Sequence, residues 1–198
     1  LQHFNTSKQG VLPKIIEEMY SERVTVKKDM LKYQQDLQKA EDKQDIFELQ
    51  RKISLAENRQ MSIKILLNSL YGALGNRYFR FFDQRIAEAI TLSGQAIIRW
   101  GENAINEYLQ KLLGSKKDYV ITIDTDSLYV GLGDLVNKFN PKNPVDFLDT
   151  VSKDKLEPVF IKAYQEFFDK FGGIENKMVM SREVIADRGI YLAKKRYI

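Results

Sequence analysis

A chain of 198 residues with 43% apolar and 29% charged side chains has material for one good core or two modest ones, and no apolar run of about 18 residues. The absence of Cys excludes disulfides, thiolate metal sites and a Cys nucleophile, and the single His3 leaves imidazole chemistry and multi-His zinc sites without raw material. The net charge of +4 is mildly basic and does not by itself demand a nucleic-acid partner, so catalysis rests on carboxylates, Lys, Arg, Tyr or Ser.

His3 to Pro13 carries turn residues and reads as a lead-in loop. From Lys14 to about Tyr71 the chain has neither Gly nor Pro and is rich in strong helix formers. That run is too long for one ordinary helix. Its most polar point, Ala40–Asp45, predicts a break into two antiparallel helices. Eleven Lys and Arg against ten Asp and Glu between Lys14 and Lys64 compose a solvated hairpin, ordinarily a coiled-coil arm. Asn68–Phe82 brings two glycines and a dense aromatic cluster, and Asp83 is placed to cap a helix running to about Leu113. Within it Ile86, Ile90, Ile97, Trp100, Ala104 and Tyr108 recur at steps of three, four and seven, predicting one buried stripe.

Tyr119–Ile123 and Leu128–Leu132 read as strands of a β-hairpin with Asp124–Ser127 at its tip. Pro141 and Pro144 punctuate a loop, and Val145–Phe171 returns to helical spacing with Pro158 as a break. Beyond Gly172–Gly173, Lys177–Ala186 and Ile190–Ile198 are predicted as two strands joined at Asp187–Gly189. The expected fold class is α+β: an antiparallel helical hairpin ahead of a small domain of antiparallel sheet and packing helices.

Three places bear chemistry. Asp124 and Asp126 lie two apart, so on a strand they share a face and can converge on one hard cation. Two Mg²⁺ ions held about 4 Å apart by carboxylates suit phosphoryl transfer. Asp, Thr and Ser are equally at home in a polar turn, and the spacing admits both readings. Lys64, Asn68 and Tyr71 fall on one helical face, with Ile65, Leu66 and Leu70 expected to turn toward packing. Arg23 and Lys27, at i and i+4 on the partner helix, share a face too. A hairpin lined by Arg23, Lys27 and Lys64 can grip a triphosphate, although solvated basic residues among equal numbers of acids look the same. Lys194–Tyr197 puts three cations beside an aromatic, a composition that fits backbone phosphates and also frayed ends. Strand alternation there would place Lys195 and Tyr197 on one face and Lys194 and Arg196 on the other.

Together these residues resemble family B DNA polymerases, most closely the replicative type of T-even-like bacteriophages. Lys64-Ile-Leu-Leu-Asn68-Ser-Leu-Tyr71-Gly72 is similar to the K-x3-N-S-x-Y-G motif of the second fingers helix. Asp124-Thr-Asp126-Ser127 resembles the DTDS palm motif, and Lys194-Lys195-Arg196-Tyr197 the KKRY primer grip. Gly10-Val11-Leu12-Pro13 resembles the segment that enters the fingers, so the motifs stand in family order along nearly the whole chain.

The resemblance implies a segment from the palm over residues 1–13, fingers over 14–72 and a partial palm over 73–198. It implies that Lys64 and Arg23 bind the incoming nucleotide's phosphates with Lys27 and Asn68 nearby, and that Tyr71 and Gly72 lie against the nascent base pair. Asp126, with Asp124 beside it, would hold Mg²⁺, two ions in the complete enzyme. Lys194, Lys195, Arg196 and Tyr197 would hold the primer, and Glu183 would lie near the site. Implied partners are primer–template DNA, dNTP, the exonuclease, upstream palm strand and thumb, and a sliding clamp through regions outside this chain. No membrane is implied, and the location is the cytoplasm of an infected bacterium.

Two departures stand out. Thr122-Ile123 occupies the place where the family usually has Tyr-Gly, so Ile123 is expected to crowd the primer terminus. No DxxSLYP-like segment precedes Gly10. The chain therefore reads as a palm–fingers fragment lacking one catalytic Asp, expected to be inactive alone. The alternative is a non-catalytic helical-hairpin module for nucleic acid or protein, whose salt-sensitive DNA binding would survive loss of Asp124 and Asp126.

Overall fold

The computed structural model describes residues 7–193 and 195–197, and the chain divides into two compact units between Glu88 and Ala89. The fold is α+β. Among the described residues no helix is long and apolar enough to cross a membrane.

The first unit is an antiparallel pair, α1 (Val11–Leu37) and α2 (Lys43–Leu74). α1 begins inside the expected lead-in loop, because a Pro in the first turn gives up only an N–H that has no helical partner there. The break falls within the expected polar segment. Asp42 caps α2, its Oδ2 accepting from the N–H groups of Gln44 and Asp45 at 2.9 and 3.3 Å.

The inner positions of α1 are Met19, Arg23, Val26, Met30, Tyr33, Leu37 and then Ala40 beyond its end, all half-buried between exposed neighbours. Those of α2 are Ile46, Leu49, Ile53, Ala56, Gln60, Ile63, Leu67 and Leu70. Both sets step three and four alternately, the heptad seam of a coiled coil. Ile65 and Leu66, expected to pack, stand 58% and 57% exposed, because the seam runs one or two residues to the side of them. The seam is thin: α1 has no fully buried residue.

Asp83 opens α3 (Gln84–Leu113) as expected, accepting from the Arg85 backbone N–H at 2.9 Å. The Arg85 guanidinium closes a fork on the same carboxylate at 2.9 and 2.6 Å. These side-chain bonds, helped by the backbone N–H groups of Arg85 and Ile86, hold the Asp83 carboxyl down to about 2. A carboxyl so depressed stabilises the fold above its unfolded value and loses that contribution as pH falls through the folded one. Acid melting between pH about 4 and about 2 is therefore expected to be shallower in Asp83→Asn, which keeps a capping oxygen but no charge. Circular-dichroism melts across that window test this; an unchanged slope would refute it.

The second unit contains the rest of α3, strands β1 (Val120–Asp124) and β2 (Ser127–Val130), α4 (Gly133–Phe139), α5 (Pro144–Val151) and α6 (Glu157–Phe171). A π-helical turn, Ser152–Leu156, joins α5 to α6. Pro158 lies in the first turn of α6, so the break foreseen at Pro158 is a widened turn just before it. α4 was not foreseen; its seven residues look like a loop to a periodicity test. Gly172, at φ 66°, ends α6, and Gly173 passes so close to the Phe168 ring that any side chain there would collide with it.

The core joins Ile105 and Leu109 of α3, Tyr119 and Val120, and Leu156, Phe160 and Tyr164. The buried line on α3 is Ile98, Gly101, Ile105 and Leu109, one residue on from the expected Ile97, Trp100, Ala104 and Tyr108. Gly101 is the reason. A Cβ there would lie 2.9 Å from the Tyr164 hydroxyl and 3.3 Å from both rings of Phe160 and Tyr164, so α6 seats in the notch that glycine leaves. Ile97 and Tyr108 of the expected stripe stay partly buried against the same core. Trp100 becomes a flank, edge-on to Phe167 at 5.5 Å, and Ile90 is 46% exposed.

The C-terminal expectation needs a larger correction. Residues 174–190 form no strand, so neither Lys177–Ala186 nor a hairpin at Asp187–Gly189 is present. Alternation specifies a face, but a strand also needs a hydrogen-bonded neighbour, and none of the described residues supplies one. Arg182 instead pins this segment, pairing with Asp149 and donating its backbone N–H to Glu157 at 3.2 Å. A short hairpin follows, β3 (Tyr191–Ala193) with β4 (Arg196–Tyr197), Ala193 opposite Arg196 and Tyr191 opposite Tyr197.

Candidate active site

The second unit carries the paired acids. β1 and β2 are antiparallel, with Ile123 opposite Leu128 and Asp124 opposite Ser127. This leaves Thr125 and Asp126 as a two-residue turn. Asp126 is thus in the turn and not on the strand, and strand alternation does not govern its direction. The turn is tight: the Asp126 N–H donates to the Asp124 carbonyl at 2.7 Å, and the Ser127 hydroxyl to the same oxygen at 3.0 Å. Thr125 has φ 57°, a left-handed conformation that a β-branched residue adopts only under constraint. Its hydroxyl donates to Asp124 Oδ1 at 3.1 Å. Asp124 is half-buried and Asp126 exposed.

Asn106 on α3 holds the other end of β1. Its Oδ1 accepts from the backbone N–H groups of Tyr119 and Val120 at 2.8 and 3.2 Å, and its Nδ2 donates to Asp118 at 2.6 Å. A side-chain amide thus stands in for a neighbouring strand where β1 enters the core. Nothing in the local sequence marks Asn106 for this task. Asn106→Ala would leave the Tyr119 N–H, on a residue 2% exposed, without that acceptor, at a cost of about 1–3 kcal/mol. The expected lower denaturation midpoint in urea measures it; a midpoint equal to wild type would refute the role.

A register shift between Val120 and Thr122 lets both Val120 and Ile123 reach the core. Ile123 therefore packs toward the core, partly buried. The donor set at the tip is all oxygen, which fits a hard divalent cation. Among the described residues no third His, Cys, Asp or Glu joins it to make a group that could hold a metal ion.

The β3–β4 hairpin lies beside the first one: the Tyr191 ring meets the Tyr129 ring of β2 edge-on at 5.9 Å. Lys195 stands at its turn with φ 63°, so Lys195 and Tyr197 are not related by alternation along one strand. Arg196 is exposed on β4, and Lys194 lies outside the described residues. Glu183 is exposed in the irregular segment.

The first unit carries Lys64, Asn68, Tyr71, Arg23 and Lys27. Lys64, Asn68 and Tyr71 each follow a seam residue of α2, Ile63, Leu67 and Leu70, and so line one flank of the hairpin, all exposed. In an antiparallel pair the residues just after the seam on both helices share a side, and those just before it share the other. The pair Glu22–Arg59, at 2.6 Å, marks the second flank. Lys27, after Val26, is on the first flank with Lys64, displaced toward the hairpin turn. Arg23 sits in the seam itself, half-buried, and Lys27, one turn on, is exposed at the edge of the seam. Nothing stands within 4 Å of where a Cβ on Gly72 would be, so the backbone beside Tyr71 is open.

The model of DNA polymerase family B matches residues 2–158. The chain is 41% identical over 167 residues to the DNA-directed DNA polymerase of Enterobacteria phage T4, covering 77% of this chain and 19% of that protein. It is 36% identical over 167 residues to the DNA-directed DNA polymerase of Escherichia phage RB69, covering 77% and 18%. It is 31% identical over 127 residues to the DNA polymerase alpha catalytic subunit of Dictyostelium discoideum, covering 63% and 7%. The chain thus spans about a fifth of the length of the two phage relatives. With a family match over most of its length and phage relatives at such identity, the chain belongs to DNA polymerase family B and resembles its T4-like phage members.

Proposed function

We propose that this chain forms the fingers (residues 14–72), with a segment of palm before them (1–13) and part of the palm after them (73–198), of a DNA-directed DNA polymerase. The observation that carries the reading is the two-carboxylate turn at Asp124–Asp126 that closes the β1–β2 hairpin, in a member of this family. The reaction joins the primer 3′-oxygen to the α-phosphorus of a dNTP, breaks the α–β phosphoanhydride bond and releases pyrophosphate. Asp124 and Asp126 would hold Mg²⁺, which when bound polarises phosphoryl oxygens and lowers the pKa of the attacking hydroxyl.

The remaining work falls to side chains. Lys64, a compact point charge on the exposed flank, neutralises the triphosphate, and Arg23 offers a planar fork to it. Lys27 and Asn68 extend the same surface. Tyr71 presents its ring to the nascent base pair, and the open backbone at Gly72 lets the pair approach. Lys194, Lys195, Arg196 and Tyr197 grip the primer backbone, and the Tyr129–Tyr191 contact keeps that hairpin beside the acids. The partners are primer–template DNA, dNTP and the other polymerase segments, with a clamp bound through those segments, in the cytoplasm of an infected bacterium.

The test supplies the remaining segments of a T4-like family B polymerase in trans and follows extension of a labelled primer. Restored extension that needs this chain supports the reading. DNA binding without extension, unaffected by loss of Asp124 and Asp126, would favour a non-catalytic hairpin module.

A further inference from the structure

β1 is irregular just before the acids. Regular alternation along Val120-Ile121-Thr122-Ile123 would send Ile121 to the side of Ile123, which packs on the core. The register shift between Val120 and Thr122 prevents this: Val120 is 8% exposed and Ile121 60% exposed. Ile121 and Thr122 then both turn away from the core, and Asp124 shares the side of Thr122 by alternation.

The exposed Ile121 has a prepared place. A Cβ on Gly131 would stand 3.3 Å from Ile121 Cδ1 and 3.5 Å from Cγ1, so the glycine lets this side chain lie across the hairpin. The Gly131 N–H donates to the Tyr119 carbonyl at 2.8 Å and fixes that crossing. Ile121 and Gly131 line one wall of a shallow depression of about 150 Å³. Tyr129 stands opposite Thr122, and its ring meets Tyr191 of β3. The outward side of β1–β2 is thus bordered by Asp124 at one end, by the β3–β4 hairpin beside it and by Ile121 at the other end. Ile121 precedes Asp124 by three residues, at most about 10 Å of strand, or roughly three steps along a nucleic-acid strand. A bulge that keeps a branched aliphatic side chain in water, where alternation would bury it, costs free energy that a bound apolar surface offsets.

We infer that Ile121, laid over Gly131 by the bulge, is a primer-binding residue: an aliphatic seat for the deoxyribose edges of the last primer nucleotides. The inference rests on the polymerase reading above, in which the acids fix where the primer 3′-oxygen lies. It adds a contact that uses neither charge nor a motif residue. The primer is the occupant because the seat shares its side of the hairpin with the acids and with the segment proposed to grip the primer backbone. Bases of a paired primer are stacked inside the duplex, so the sugars are what present apolar C–H edges to a protein surface. The seat also differs in kind from the family pattern, which usually has Tyr where Thr122 stands, because here the bulge offers an aliphatic neighbour instead.

The experiment assembles the full chain with the remaining segments of a T4-like family B polymerase and reads two quantities. One is the affinity for a labelled primer–template by fluorescence anisotropy, which needs no turnover, and the other is extension kinetics at saturating dNTP. Ile121→Thr keeps the branched Cβ that suits a strand and removes the aliphatic reach. It is expected to weaken primer–template binding by about three- to tenfold and to raise the primer KM by the same factor. The kcat at saturating primer should stay within about twofold of wild type. Ile161→Thr, at a residue 58% exposed on α6, should change neither quantity. Unchanged binding in Ile121→Thr, or an equal loss in Ile161→Thr, overturns the inference. A lower melting temperature of the assembly with primer affinity intact would mean that another polymerase segment covers Ile121, and overturns it too. Absence of extension by the wild-type assembly overturns the polymerase reading, while anisotropy still decides whether Ile121 binds primer; absence of wild-type binding overturns both.

Discussion

Asp126→Ala should lower restored primer extension by on the order of 10³-fold, because on the proposed function it removes one of the two carboxylates that hold Mg²⁺ for phosphoryl transfer. The side chain is exposed and stands in a two-residue turn, so its loss should leave the fold intact. Far-UV circular dichroism and the melting temperature are therefore expected to match wild type. Salt-sensitive DNA binding should persist, since the cations proposed to contact phosphates lie elsewhere in the chain. The effect should fall on turnover more than on primer affinity. Extension indifferent to Asp126→Ala would remove the carboxylate pair from the mechanism. Asp124→Ala is a less clean probe, since its side chain is half-buried and receives the Thr125 hydroxyl.

Leu109→Ala should destabilise the second unit by about 2–5 kcal/mol, the usual cost of emptying a fully enclosed aliphatic site. Leu109 has no exposed surface and meets the cluster of Tyr119, Phe160 and Tyr164. Ile90, on the stripe expected from the sequence, is 46% exposed, and Ile90→Ala should change stability by no more than about 0.5 kcal/mol. Urea denaturation of the two variants measures both. Equal midpoints, or a larger loss in Ile90→Ala, would show that the core follows the expected stripe after all.

Local chemistry was the legible part. The helical hairpin, its polar break, the Asp83 cap and the Asp124–Ser127 tip all rest on nearest-neighbour rules, and each appears near its expected place. The motif residues were also readable, since Lys64, Asn68 and Tyr71 owe their common flank to helical spacing alone. The misses involve partners distant in sequence. Lys177–Ala186 alternates like a strand, yet the described residues give it no strand to pair with and Arg182 ties it to Asp149 and Glu157 instead. Asn106 was missed because an amide in mid-helix acquires its task only when β1 arrives beside it.

By itself the sequence determined the two long helices, the carboxylate-bearing hairpin tip, and the lack of thiol and near lack of imidazole chemistry. Helix and turn formation depend on contacts a few residues apart, so the string of residues contains them. The tertiary structure decided which way each segment faces. It set the fully buried line of α3 one residue on, through Gly101, drew Ile123 toward the core through a register shift, and put Arg23 into the seam while Lys27 stayed at its exposed edge. Facing is settled by packing against surfaces that lie far off along the chain, and a rotation of one residue alters the local pattern too little for that pattern to choose it.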